Sequence, residues 1–260
     1  MGLLEGKRAL IFGLANDHSI AWGIAQAFHR EGATVGFASM EMLMEKRVKP
    51  LAATLDSPFV EPCDVQDDED IARVFGKWKE QFGELDILVH AVAFANKDDL
   101  KGEFMNVSRE GFLLAQDVSA YSLVALAREA RPLMSEGGAI LTLSYYGAEK
   151  AVVNYNVMGV AKASLEACVR YLAVDLGKEG IRVNAISAGP VRTLSASGVA
   201  GFKKMHRLFE QISPMRRPLS IDDLGNSAVY LCSEMSRGTT GEIHYVDGGY
   251  NIIGVPEIVD

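Results

Sequence analysis

Two aromatic hydroxyls and one amine stand where they could act together. The chain reads Leu143-Ser144-Tyr145-Tyr146-Gly147, then Asn154-Tyr155-Asn156-Val157-Met158-Gly159-Val160-Ala161-Lys162. On a helix turning about 100° per residue, Tyr155 and Lys162 fall within roughly 20° of one face. Their Cα atoms are then roughly 10 Å apart along the axis, which suits two groups holding different parts of one substrate–cofactor assembly. A tyrosine hydroxyl can donate to an oxygen that is gaining negative charge, and a nearby ammonium favours that transfer. Tyr145, closing an apolar run, is either a second donor or a ring that anchors the strand end by packing. No metal site is expected. The five histidines are scattered without an HExxH spacing, and Cys63, Cys168 and Cys232 form no CxxC pair. The cysteines read as small buried hydrophobes in a reducing cytosol.

Such groups need a scaffold, and hydrophobic periodicity supplies one. Apolar or β-branched runs at 8–14, 34–39, 59–65, 86–93, 139–144, 182–187 and 242–246 read as strands. Stretches at 20–30, 41–55, 71–82, 110–133, 155–177, 201–211 and 221–232 read as helices. The alternation predicts a doubly wound α/β fold: a parallel, Rossmann-type sheet of seven strands with helices on both faces. Ligands of such sheets bind beyond the carboxyl ends of the strands. No Pro/Ser-rich linker or internal repeat interrupts the 260 residues, so a single domain, 1–260, is expected. At 48% hydrophobic and 23% charged, the composition excludes a disordered chain. A net charge of −8 argues against wholesale binding to nucleic acid or an anionic membrane. No apolar run approaches the roughly 18–20 residues of a membrane span, and the N-terminus lacks the order of a secretion signal. A cytoplasmic location is expected.

The first strand-to-helix turn should carry a phosphate loop. It reads Gly13-Leu14-Ala15-Asn16-Asp17-His18-Ser19-Ile20-Ala21-Trp22-Gly23, which is not GxGxxG. Gly13 permits a sharp turn, Ser19 and the amides around Ile20 can donate to a pyrophosphate, and Gly23 allows close helix packing. Taken alone, the segment also fits a capped helix after a loop, with Ser19 as N-cap. Ser39-Met40-Glu41 falls where an adenosine ribose is judged, and a carboxylate there favours NADH over NADPH. Glu41 is equally well explained as a first-turn acid. In Cys63-Asp64-Val65, Asp64 could accept from an adenine amine. His90-Ala91-Val92-Ala93-Phe94-Ala95 offers small residues that let a backbone pass close to a ring.

With these residues in view, the sequence resembles the bacterial enoyl-(acyl-carrier-protein) reductases of the short-chain dehydrogenase/reductase superfamily. The resemblance runs along essentially the whole chain. It rests on Ser19-Ile20-Ala21, Tyr155 to Gly159, Ala161 to Ala167, Arg182 to Pro190, Arg192-Thr193-Leu194 and Val246-Asp247-Gly248-Gly249. Ketone- and alcohol-handling members of the superfamily resemble Tyr-x3-Lys, which would put a tyrosine at position 158. Met158 stands there, and a thioether has no proton to donate. The spacing here is Tyr-x6-Lys, as in the enoyl reductases.

The resemblance implies reduction of trans-2-enoyl thioesters on acyl carrier protein by NADH, in fatty-acid elongation. Tyr155 would stabilise the enolate formed as hydride reaches the β-carbon, Lys162 would hold the nicotinamide ribose, and Tyr145 would line the pocket as a second catalytic candidate. Cofactor contacts are implied from Gly13, Ser19, Ile20, Met40, Asp64, Val65, Val92, Val191, Thr193, Leu194 and Ser195. Substrate contacts are implied from Ala95, Tyr145, Tyr155, Met158, Val199 and Phe202. Residues 192–211 would form a substrate-binding loop, in which Val199, Phe202, Met205 and Phe209 line an acyl channel or pack a core. Lys203, Lys204 and Arg207 are a landing site for an acidic carrier or a solvated face. Similar proteins are homotetramers with long helix–helix interfaces, matched here by 110–133 and 155–177. A ketone dehydrogenase is disfavoured by Met158, and a non-catalytic NAD-binding protein by the presence of both Tyr155 and Lys162. The sequence departs from the family at Met40, commonly Gln, and at Ala91 and Ala93, commonly Ser and Gly. The methyl of Ala93 should intrude beside the nicotinamide, where planar inhibitors of the family stack.

Overall fold

The expected strands form one sheet. They are β1 (Arg8–Phe12), β2 (Thr34–Ser39), β3 (Val60–Pro62), β4 (Ile87–His90), β5 (Gly138–Ser144), β6 (Ile181–Ala188) and β7 (Ile243–Val246). Their order is β3-β2-β1-β4-β5-β6-β7, and every neighbouring pair is parallel. The computed structural model describes residues 2–191 and 202–255, with side chains from 206 onward in the second stretch. The helices are α1 (Ile20–Arg30), α2 (Glu41–Leu43), α3 (Lys49–Ala53), α4 (Asp68–Phe82), α5 (Arg109–Gln116), α6 (Ser122–Ala130), α7 (Asn156–Leu176), α8 (Phe202–Ile212) and α9 (Ile221–Cys232).

Successive strand residues face opposite sides, and the core divides accordingly. Ala9 and Ile11 of β1 pack with Trp22 and Phe28 of α1 and Leu224 of α9. Leu10 and Phe12 pack with Phe75 and Trp78 of α4, Leu126 of α6 and Leu165 of α7. Covering on both faces explains why the strands read as continuous apolar runs rather than alternating ones. Helices α1 and α9 cross almost backbone to backbone: a Cβ at Gly225 would stand 2.5 Å from the Gly23 carbonyl oxygen. The start of α4 is fixed by Asp67, whose carboxylate accepts from the amides of Glu69 (2.9 Å) and Asp70 (3.4 Å).

Two predicted helices are interrupted. The stretch 41–55 holds α2, a π turn at Met44–Val48 and α3. The stretch 110–133 holds most of α5, a π turn at Asp117–Tyr121, α6 and a 3-10 turn at Arg131–Leu133. A π turn inserts one residue into a helix without breaking its course, so hydrophobic periodicity does not register it. Three strands are shorter than predicted, ending at Phe12, Pro62 and His90. No helix among the described residues is long and apolar enough to cross a membrane.

Candidate active site

Because β1 lies between β2 and β4, the connections leaving β1 and β4 run to opposite faces and open a crevice at the carboxyl edge of the sheet. Gly13 begins the first connection with φ +95°, and a Cβ there would stand 2.3 Å from the Ala91 carbonyl oxygen. Only glycine lets these two loops touch. Ser19 occupies the N-cap of α1 with extended backbone, yet its hydroxyl donates to the Asn16 carbonyl (2.6 Å) instead of capping the helix. The expected side-chain cap is therefore corrected: the loop's own turn takes the proton. Trp22 and Gly23 already donate to the Ser19 carbonyl (3.0 and 3.4 Å), so the amides of Ile20 and Ala21 are the first-turn donors that no intrahelical carbonyl takes.

Beyond β2 and β3 lies a groove of about 350 Å³ lined by Met40, Glu41, Cys63, Asp64, Asp70 and Arg73. Arg73 commits its guanidinium to Asp70 (2.6 Å), the Pro62 carbonyl (2.8 Å) and Glu61 (3.4 Å), so the groove's cation is already neutralised. Asp64 faces solvent, with one carboxylate oxygen accepting from the Gln66 amide (3.0 Å). Met40, also exposed, presents no polar group to a ligand. Burial pushes the Cys63 thiol up to about 12, leaving it protonated and inert. Val65 and Val92 pack against the α4 side of the core, while Val191 is buried in the other cluster.

The segment after β4 is held by the second π turn. Ser119 Oγ accepts from the Phe94 amide (3.0 Å) and donates to the Phe94 carbonyl (3.1 Å). This fixes the backbone that carries Ala93 and Ala95. Below it, His90 is fully buried, with Nε2 2.8 Å from Ser122 Oγ and Nδ1 2.7 Å from Thr142 Oγ1. Ser122 donates onward to the Val118 carbonyl (2.7 Å) and Thr142 to the His90 carbonyl (3.2 Å), so the two hydroxyls share the single N–H of the neutral ring. Burial, reinforced by the charge of Lys162, pushes His90 down to about 3 and keeps the ring neutral.

Tyr145 follows the end of β5, and Tyr155 immediately precedes α7. Their rings meet edge to face, 4.8 Å between centroids at 70°. A Cβ on Gly147 would stand 2.5 Å from the Tyr155 ring, so that glycine makes room for it. Tyr155 is flanked by Asn154 (φ +65°) and Asn156 (φ +39°), left-handed backbone that marks a constrained turn. Burial raises both phenols, with Tyr250 adding to the effect on Tyr145 and Tyr145 to that on Tyr155: Tyr145 to about 12 and Tyr155 further still. Both stay protonated donors. Lys162 is buried on α7 and donates through Nζ to the Leu143 carbonyl (2.7 Å). Burial pushes its pKa down to about 8, with Glu166 acting in the opposite direction. Met158 is buried beside Leu100 and Ala115, and Ala95 and Tyr155 pack against the same cluster.

The structure thus brings together Gly13, Ser19, Ile20 and Val92 at the first crevice, Met40 and Asp64 at the groove, and Tyr155, Met158 and Ala95 in one apolar cluster, with Tyr145 against the Tyr155 ring and Lys162 on the same helix as Met158. Thr193, Leu194, Ser195 and Val199 lie outside the described residues, as does the side chain of Phe202. Sequence reasoning missed Ser119, His90, Ser144 and Glu166. Glu166 left one signal, a carboxylate one turn beyond Lys162 on a helix face that is otherwise apolar.

The profile of a family described as enoyl-(acyl carrier protein) reductase matches residues 13–251. The chain belongs to that family. An Aquifex aeolicus (strain VF5) relative, enoyl-(acyl-carrier-protein) reductase (NADH) FabI, is 54% identical over 256 residues, covering 98% of this chain and 95% of that protein. The reductase fold is shared equally closely. A crystal structure of the Anaplasma phagocytophilum enoyl-(acyl-carrier-protein) reductase with NAD gives a TM-score of 0.95 at 51% identity, over 99% of this chain and 98% of that one. The Bacillus cereus reductase with NADP+ and indole naphthyridinone gives 0.96 at 53% identity, over 98% of this chain and 100% of that one.

Proposed function

We propose that this chain reduces the carbon–carbon double bond of trans-2-enoyl thioesters on acyl carrier protein, with NADH as reductant, in fatty-acid elongation. The observation that carries the reading is the Tyr155–Lys162 pair, with Met158 buried where a ketone reductase would place its tyrosine. The chain's residues fit a dinucleotide: the Gly13–Ala91 contact leaves a cradle that a side chain would fill, and the groove at Met40 and Asp64 follows it. NADH, when bound, supplies the hydride that reaches the β-carbon of the substrate.

Gly13, Ser19 and Ile20 hold the pyrophosphate; Met40, Asp64 and Val65 hold the adenosine; and Val92 and Lys162 hold the nicotinamide riboside. The family resemblance adds Val191, Thr193, Leu194 and Ser195 as contacts of the pyrophosphate and nicotinamide. Tyr155, kept protonated by burial, donates to the thioester oxygen as charge develops there, an interaction stronger in the transition state than in the ground state. Tyr145 packs its ring against Tyr155 and lines the pocket. Ala95 and Met158, with Val199 and Phe202, receive the acyl chain. Residues 192–211 act as the substrate-binding loop of a single domain, and Lys203, Lys204 and Arg207 meet the acidic carrier. The chain works as a homotetramer in the cytoplasm. The deciding experiment follows NADH oxidation with an enoyl thioester and, separately, with a β-ketoacyl thioester. Oxidation with the first and little with the second is expected; the reverse would overturn the reading.

A further inference from the structure

Lys162 and Glu166 lie one helical turn apart on α7 and are 5% and 6% exposed. Each is tied to one of two consecutive residues that end β5. Lys162 Nζ donates to the Leu143 carbonyl (2.7 Å), and Ser144 Oγ donates to Glu166 Oε1 (2.5 Å). The two bonds hold the charged groups side by side without joining one to the other. An ammonium carries three hydrogens, so two remain beyond the Leu143 bond.

A buried ammonium is costly unless a countercharge stands near it. Burial pushes Lys162 down to about 8, and Glu166 is the carboxylate that favours its charged form. Among the described residues, the neighbouring titratable groups on other elements add no countercharge. His90 on β4 is neutral, and the Tyr145 and Tyr155 phenols are raised and neutral. Glu166 itself is raised above the usual carboxylate value, first by burial and then by Glu149, against the pull of Ser144, Arg170 and Lys162. Tyr245 of β7 also feels the Glu166 charge and is protonated.

We propose that Glu166 is a positioning residue of this active site: fixed by Ser144, its carboxylate keeps the Lys162 ammonium charged in a dry pocket and leaves its hydrogens free for the cofactor's ribose. This rests on the reading of Lys162 as the ribose ligand. A Glu166 that only knits α7 to β5 would affect stability and leave the titration of Lys162 where it is.

The test measures two things between about pH 6 and 10. One is the titration midpoint of Lys162 in the cofactor-free protein, from the resonance of ¹³C-labelled lysine Cε, assigned with Lys162→Arg. The other is NADH affinity by fluorescence. Glu166→Gln should lower the Lys162 midpoint by about one pH unit. NADH affinity should then fade at correspondingly lower pH, because a lower midpoint leaves less ammonium at any given pH. Ser144→Ala, which frees the carboxylate without removing it, should shift the midpoint the same way by less. In a Lys162→Arg background, Glu166→Gln should leave the pH profile of NADH binding unchanged, since a guanidinium does not titrate in this range. An unmoved Lys162 midpoint in folded Glu166→Gln overturns the proposal, and so does an equal pH shift in the arginine background. Should NADH affinity ignore Lys162→Ala at every pH, the ribose reading fails instead, and the midpoint still decides the countercharge.

Discussion

Tyr155 is a donor whose ring and hydroxyl can be tested apart. Tyr155→Phe keeps the ring against Tyr145 and Gly147 and removes only the proton that meets the developing oxyanion. Turnover should fall on the order of 10²–10³-fold, the usual loss on deleting such a donor, with NADH affinity little changed. Lys162→Ala should do the opposite first, weakening NADH binding. Retention of full turnover by the phenylalanine variant would remove Tyr155 from the chemistry. Ala93 sits on the exposed loop whose backbone Ser119 fastens through Phe94, so its methyl is fixed in place with that backbone. Ala93→Gly should therefore tighten binding of a planar phenolic inhibitor by about 1–3 kcal/mol while leaving turnover alone. An unchanged inhibition constant would sink that steric argument. The residues legible in the sequence were those whose partners lie nearby along one helix, as Tyr155 and Lys162 do. Ser119 and Ser144 were not legible, because their bonds to Phe94 and Glu166 span 25 and 22 residues and exist only once strands and helices have packed.

At the scale of elements, long runs of one period were readable and local departures from it were not. All the strands expected from apolar runs are present, and their parallel order follows from the alternation with helices. The π turn at Asp117–Tyr121 was invisible as a pattern, yet it carries Ser119 to the loop after β4. Gly23 was read correctly as a close-packing residue, but its partner Gly225 comes from a helix about two hundred positions away in the chain. The crossing of α1 and α9 depends on both. Gly225→Ala places a methyl 2.5 Å from the Gly23 carbonyl oxygen and 3.0 Å from Ala27 Cβ, so one helix must move. We expect a loss of about 1–3 kcal/mol, read as a lower urea midpoint with an unchanged slope. Because α1 begins at the phosphate loop, NADH affinity should fall in the same variant. A stability equal to that of the unaltered chain would mean that the helices can separate freely.

For the whole molecule, the long helix that carries Lys162 also exposes large apolar side chains. Tyr171 and Val174, three residues apart on α7, are 76% and 79% exposed. Leu113 on α5 and Tyr121 in the neighbouring π turn are exposed as well. Scattered apolar residues on a surface need no explanation, but exposed apolar residues on two neighbouring helices make a candidate interface. Burying a tyrosine or valine side chain contributes about 1.5–3 kcal/mol, and a symmetric interface counts each residue twice. These faces suit association with further copies of the chain through α7 and α5, in line with the expected homotetramer. Sedimentation equilibrium of the unaltered protein should return a four-chain mass. Tyr171→Asp with Val174→Asp should reduce that mass while preserving the circular dichroism spectrum, since neither side chain belongs to the core. Turnover should fall with it, because the opposite end of α7 sets Tyr155 and Lys162 and loses the support of a packed neighbour. A monomer at working concentration, or a four-chain mass that survives both charges, would place the interface elsewhere.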